Sequence, residues 1–141
     1  MTRRIVTGHD ASGCAVVLFD APAPNVKRRP SGLVSTLLWV TGASSAGKRD
    51  AAEREIGIAP PPGGSIFRIV DFPAGAKGEM HSTPSVDYGI VIEGEIDMLL
   101  PGGEEVHLRA GDVLVQRGTE HAWENRESVN CRMAFILIAA A

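Results

Sequence analysis

Cysteine, long apolar runs, clustered positive charge and helical periodicity are all scarce in this 141-residue chain, and each scarcity excludes something. Two cysteines, Cys14 and Cys131, are too few for the disulfide framework of a small secreted scaffold. Each lies in an apolar, strand-like run, so both are expected to be buried free thiols. The most apolar stretch, Ala134 to Ala141, falls well short of the roughly 20 residues that a membrane-spanning helix needs. No membrane partner is therefore expected. The net charge is −3, and no lysine- or arginine-dense stretch offers an electrostatic footprint for nucleic acid. The pair Arg3–Arg4 is too short to provide one. No apolar signal-peptide core follows it, so the expected location is cytoplasmic.

What the chain does have is a core and many turns. Hydrophobic residues make up 44% and charged residues 22%, enough to bury an interior and keep a polar surface. Glycine occurs 16 times and proline nine times, which suits short elements joined by tight turns. Strands are expected at Arg3 to Gly8, Cys14 to Phe19 and Leu33 to Thr41, the last from its β-branched and aromatic content. Ala21 to Pro30 carries three prolines and reads as an extended arm without ladder hydrogen bonds of its own. Gly42 to Gly64 is irregular. A single short helix over Lys48 to Ile56 is expected inside it, from the favourable i,i+4 pair Asp50–Arg54. Pro60 to Pro62 would stop that helix.

From Ser65 onward strand follows strand: Ser65 to Phe72, Asp87 to Glu93, Glu95 to Leu100, Val106 to Arg109, Val113 to Arg117, His121 to Arg126 and Asn130 to Ile138. Turns at Gly94, Pro101 to Gly103 and Ala110 to Asp112 separate them. Turn signals at this spacing indicate an all-β sandwich or barrel with little helix.

Within that core, Gly75, His81, Asp87 and Gly94 fall at the spacing of the first cupin motif. The stretch GDVLVQRGTEHAWEN, Gly111 to Asn125, resembles the second. The runs DYGIVIEGEI and QRGTEHAW are similar to those of small one-domain bacterial and fungal cupins. The resemblance implies a double-stranded β-helix, or jelly-roll, barrel. It implies one cupin domain over residues 1–141, with N-terminal strands, arm and loop in 1–64 and the motifs in 65–138. The resemblance carries the family's first metal-ligating histidine to His81, its acid to Asp87 and its last histidine to His121. Three departures stand out. Thr83 occupies the place of the second histidine, Asp87 stands for glutamate, and Arg117 stands for the proline of a second motif shortened by one residue.

The residues themselves agree in part. His81, Thr83 and Asp87 share a face if the chain stays extended across Pro84, and His121, Trp123 and Asn125 form a second same-face set. Two imidazoles and one carboxylate would then converge as a facial triad suited to Fe, Mn or Zn. Thr83, Trp123, Val91 and Val115 are expected as pocket wall. A buried Asp87 hydrogen-bonded to His81 or His121 would satisfy the same groups without an ion. His107 is expected to face solvent rather than ligate. Arg68 and Tyr88 could line the pocket or lie on the opposite sheet face. Gly42 to Lys48 (GASSAGK) imitates a phosphate-binding loop but continues with Arg49 instead of the Ser or Thr that holds Mg²⁺, so it reads as a surface loop.

Three functions remain open from sequence. The leading one is a metal-dependent enzyme acting on a small oxygen-rich organic molecule, with His81, Asp87 and His121 as the catalytic set. The alternatives are a metal-free decarboxylase or isomerase using a His–Asp pair, and a non-catalytic small-molecule binder. Family members resembling this chain commonly pair, so a homodimer is expected, with the proline-rich arm packing across a partner.

Overall fold

The computed structural model describes residues 1–43, 47–54 and 56–140. Among the described residues its regular structure is nearly all strand: β1 (Arg3–His9), β2 (Ala15–Pro22), β3 (Asn25–Arg28), β4 (Val34–Thr41), β5 (Ser65–Phe72), β6 (Ser85–Glu93), β7 (Glu95–Leu99), β8 (Glu105–Arg109), β9 (Val113–Arg117), β10 (Ala122–Glu124) and β11 (Cys131–Ala139). A six-stranded sheet runs β3-β4-β5-β11-β6-β9, and a three-stranded sheet runs β10-β7-β8. The pair β1-β2 forms a separate antiparallel hairpin. The fold is the jelly-roll barrel expected from sequence.

Strand alternation decides which side chains meet inside. On β11, Cys131, Met133 and Leu137 are buried, and on β6 Ser85, Asp87 and Val91 are buried while Tyr88, Ile90 and Ile92 are exposed. Phe72, Val91 and Met133 of the large sheet pack against Ile96, Met98, Leu108 and Trp123 of the small one. Ile96 and Met133 are completely excluded from solvent, and burying each such side chain stabilises the fold by roughly 1.5–3 kcal/mol. A second cluster joins Leu37, Val40, Ile66 and Leu137 to Ala51 and Ala52 of the long irregular segment. Gly94 is forced by the backbone's close approach, whereas Gly89 is only tightly packed against side chains. A Cβ on Gly94, whose φ is +80°, would sit 2.4 Å from the Asn130 carbonyl oxygen; one on Gly89 would sit 3.3 Å from the Phe135 ring.

Four expectations require correction. The proline-rich arm does join the ladder: β2 extends to Pro22, and Asn25 to Arg28 pairs with Val34 to Leu37. The prolines flank that four-residue run rather than interrupt it, and β3 is an edge strand of its sheet. The helix over Lys48 to Ile56 is absent from its described residues, Glu55 lying outside them. Asp50 does not serve Arg54. It takes a bidentate pair from the buried Arg4, at 2.9 and 2.6 Å, and its Oδ1 also accepts the Ala52 N–H at 2.9 Å. A forked ion pair across the fold outweighs an i,i+4 pair on a short helix. Both cysteines are free, as expected, but Cys14 is exposed, because it stands at the β1-β2 turn. Cys131 is buried, and burial, helped by Asp71 and Glu93, pushes its thiol up to about 11. Lastly, β10 is shorter than the His121 to Arg126 strand expected, although His121 itself pairs through a bridge. Of the phosphate-loop imitation, Ser44 to Ala46 lie outside the described residues.

Candidate functional site

The site forms where the segment before β6 crosses the segment before β10. His81 and His121 form an antiparallel bridge, each N–H donating to the other's carbonyl oxygen at 2.9 Å. Gly78 N–H to Trp123 O and Asn125 N–H to Ala76 O, at 2.9 and 2.8 Å, extend the same crossing. Asn125 locks the corner from inside. It is fully buried, its Nδ2 donates to the Phe72 and Val129 carbonyls at 3.0 and 2.9 Å, and its Oδ1 accepts the Glu127 N–H. The crossing places the two imidazoles with ring centroids 4.5 Å apart, and His121 and Trp123 form a T-shaped pair with centroids 5.8 Å apart.

Beneath them lies a cavity of about 210 Å³. His81, Thr83, Asp87, His121 and Trp123 all line it, so these five candidates from sequence come together. Val91 and Val115 do not. Val91 belongs to the core between the sheets, and Val115 is 60% exposed on the outer face. On β9 it is Gln116 that turns inward, opposite Asp87 in register, which throws Val115 out. The two residues left undecided separate the same way: Arg68 lines the cavity and Tyr88 is exposed.

The histidines share one hydrogen-bond arrangement. His81 Nδ1 lies 2.9 Å from the Glu79 carbonyl oxygen, and His121 Nδ1 lies 2.9 Å from the Thr119 carbonyl oxygen. A carbonyl only accepts, so each Nδ1 carries the proton and each neutral ring keeps its lone pair on Nε2. Burial lowers the pKa of His121, opposed by its bond to Thr119; nearby His81 lowers it further and Asp87 raises it.

Asp87 is buried on β6, and its Oδ1 accepts a 2.6 Å hydrogen bond from the Ser85 hydroxyl. Burial raises its pKa, while Ser85, His121 and His81 pull it down. By donor type, two neutral imidazoles and a carboxylate suit a divalent ion. The histidines fit as they stand, because the Glu79 and Thr119 carbonyls fix the ligating tautomer. Asp87 fits less well. Among the described residues, the one group of three donor atoms within 4.8 Å of one another is Glu95, His107 and Glu127, on another part of the surface. There the His107 ring already spans two carboxylates, with Nε2 2.8 Å from Glu95 and Nδ1 2.8 Å from Asp97. That ring is partly exposed, as expected, and its ion pairs occupy both nitrogens.

Ser85, Arg29, Phe135 and Leu137 also belong to the site and were missed from sequence. Ser85 carried a signal, since it stands two residues before Asp87 and so shares its face. Leu137 pairs directly with Asp87, which only the strand order discloses.

Comparison with known proteins bears on the family and the fold. A family model described as the cupin domain matches residues 68–138. The chain is 38% identical over 147 aligned residues to the phomopsin biosynthesis cluster protein C' of Diaporthe leptostromiformis, covering 97% of this chain and 78% of that one. It is 33% identical to a cupin-domain-containing oxidoreductase of Aspergillus ruber, covering 96% and 71%. Among solved structures, the Cnp3 cupin domain of Schizosaccharomyces pombe superposes with a TM-score of 0.64 at 13% identity, covering 98% of this chain and 89% of that one. At that identity the likeness concerns the fold alone.

Proposed function

This chain belongs to the cupin domain family, and from that premise we propose that it is an enzyme of oxidation–reduction chemistry on a small, oxygen-rich organic molecule, working with a divalent metal ion held by His81, His121 and Asp87. The names of its relatives, an oxidoreductase and a biosynthesis-cluster protein, support small-molecule redox chemistry. The observation that carries the reading is the matched pair of histidines. Both bind backbone carbonyls through Nδ1, and both rings line one cavity.

Fe, Mn or Zn bound there would polarise a substrate oxygen or, if redox-active, exchange electrons with it. The chain's own residues do the rest. Phe72, Trp123, Phe135 and Leu137 line the cavity and keep water from the reacting centre. The Thr83 hydroxyl, buried on the same wall, offers a hydrogen bond to a substrate oxygen. As the third donor, Asp87 would supply the negative charge that helps balance a dication.

Elemental analysis of anaerobically purified protein tests the reading. Near-stoichiometric Fe, Mn or Zn is expected, lost in His81→Ala and His121→Ala. Wild-type protein that never holds such an ion would remove it. The Ser85–Asp87 bond favours the second reading, in which the cavity works without metal and Asp87 moves protons for a decarboxylation or isomerisation.

A further inference from the structure

The cavity has a charge pattern that bears on its ligand. Among its described lining residues, two side chains are permanently cationic, Arg29 and Arg68, and one is a carboxylate, Asp87. Asp87 already accepts the Ser85 hydroxyl at 2.6 Å and lies beside the two imidazoles. Arg68 comes from β5, opposite Phe135 of β11 in register, and is 8% exposed. It donates to the carbonyls of Gly57 and Ile58, which ties the irregular segment to the cavity wall.

Arg29 differs from Arg68 in place and exposure. It stands in the turn between β3 and β4, where its N–H donates to Leu33 O and its carbonyl accepts from the Gly32 N–H, both at 2.9 Å. That turn fixes its backbone, and the residue is solvent-exposed and borders the cavity. Leu33 of the same turn lines this cavity and also a smaller neighbouring one of about 120 Å³. Across from this polar rim, the walls are aromatic. Trp123 lies edge-on to Phe135 at 5.7 Å and tilted to Phe72 at 6.0 Å. An arginine at the rim and an aromatic-lined interior are the two halves of a site for an amphipathic anion: the guanidinium forks onto a carboxylate, and the body replaces water against the rings.

We propose that the cavity selects an organic acid, a carboxylate carried on an apolar body, with the carboxylate at Arg29 and the body against Trp123 and Phe135. This rests on the reading that the cavity is the substrate site, and it names the class of substrate. A neutral molecule of the same shape keeps the apolar contacts and loses the fork to Arg29. A rim cation also attracts anions before contact, so the preference weakens as salt rises.

Calorimetric titration with phenylacetate and its neutral isostere phenylacetamide tests the inference. Wild type, Arg29→Gln and Arg29→Lys are each titrated as purified and after EDTA treatment. Phenylacetate should bind wild type about tenfold more tightly than the amide. Arg29→Gln should abolish that preference in both preparations, and Arg29→Lys should keep part of it. Equal binding of acid and amide by wild type overturns the inference, and so does failure of both probes to bind at millimolar concentration. An acid preference that survives Arg29→Gln but disappears with EDTA means the carboxylate goes to a metal; that sinks the role of Arg29 and leaves the metal reading standing. Conversely, wild type that holds no metal as purified and still prefers the acid through Arg29 removes the metal reading and keeps this one.

Discussion

His81 and His121 exchange both backbone hydrogen bonds at 2.9 Å and hold their rings 4.5 Å apart, so the two halves of the site are fixed by the main chain rather than by each other's side chains. Replacing either ring therefore leaves the crossing in place. His81→Ala, at an exposed position, should melt close to wild type. His121→Ala, at a buried one beside Trp123, should cost about 1–3 kcal/mol in a denaturant titration. Both should lose bound metal by elemental analysis. Metal should also leave the wild type as the pH falls, since ligation needs both imidazoles neutral.

Asp87 and Ser85 separate the metal and metal-free readings. If Asp87 is the third donor, Asp87→Asn loses the negative charge that helps hold a dication, and metal affinity falls by about tenfold or more. Ser85→Ala removes the 2.6 Å competitor for Oδ1 and raises metal affinity. Asp87→Glu retains metal. In the metal-free case Asp87→Asn changes no metal content, and Asp87→Glu overpacks a fitted pocket at about 1–3 kcal/mol. Thermal melts and metal analysis of the three variants decide between them.

His107 gives a pH signature remote from the cavity. Hydrogen bonds to Glu95 and then Asp97 raise its pKa, opposed by slight desolvation. Glu127 lies within the same cluster, and Arg109 reaches Glu95 at 3.6 Å. A histidine whose folded pKa is raised contributes stability that is fully present below its unfolded value. That stability is lost as the pH rises through the folded value. The gap in denaturant midpoint between wild type and His107→Gln should therefore be largest in mild acid and shrink above the ordinary imidazole pKa of about 6.5. A gap independent of pH would refute the assignment.

The outer face of β6 and β9 bears on assembly. Tyr88, Ile90, Ile92, Val113 and Val115 are all exposed there, and β9 ends its sheet. An apolar face at an open sheet edge is self-complementary across a two-fold axis, and we propose that a second copy of the chain covers it. Light scattering should give a dimer for wild type and a monomer for Val115→Glu. A monomeric wild type at high micromolar concentration excludes the pairing.

By itself the sequence determined the succession of strands along the chain from Ser65 onward, the turns, and five of the residues that meet at the cavity. Local chemistry sufficed for these: glycine and proline mark turns, alternation marks faces, and the spacing from Gly75 to Gly94 carries the family motif. Tertiary structure decided the rest. Whether Val115 or Gln116 points inward is a matter of register against Asp87, and a shift of one residue reverses it. Asp50 leaves a helix for Arg4, 46 positions away, a partner no local window contains. Arg29 and Arg68 stand 39 positions apart and line one cavity because the β3-β4 turn and β5 border the same space. The sequence also identifies Asp87 as an acid of the site. Whether its carboxylate faces Ser85 or a metal depends on atoms brought together only when the barrel closes.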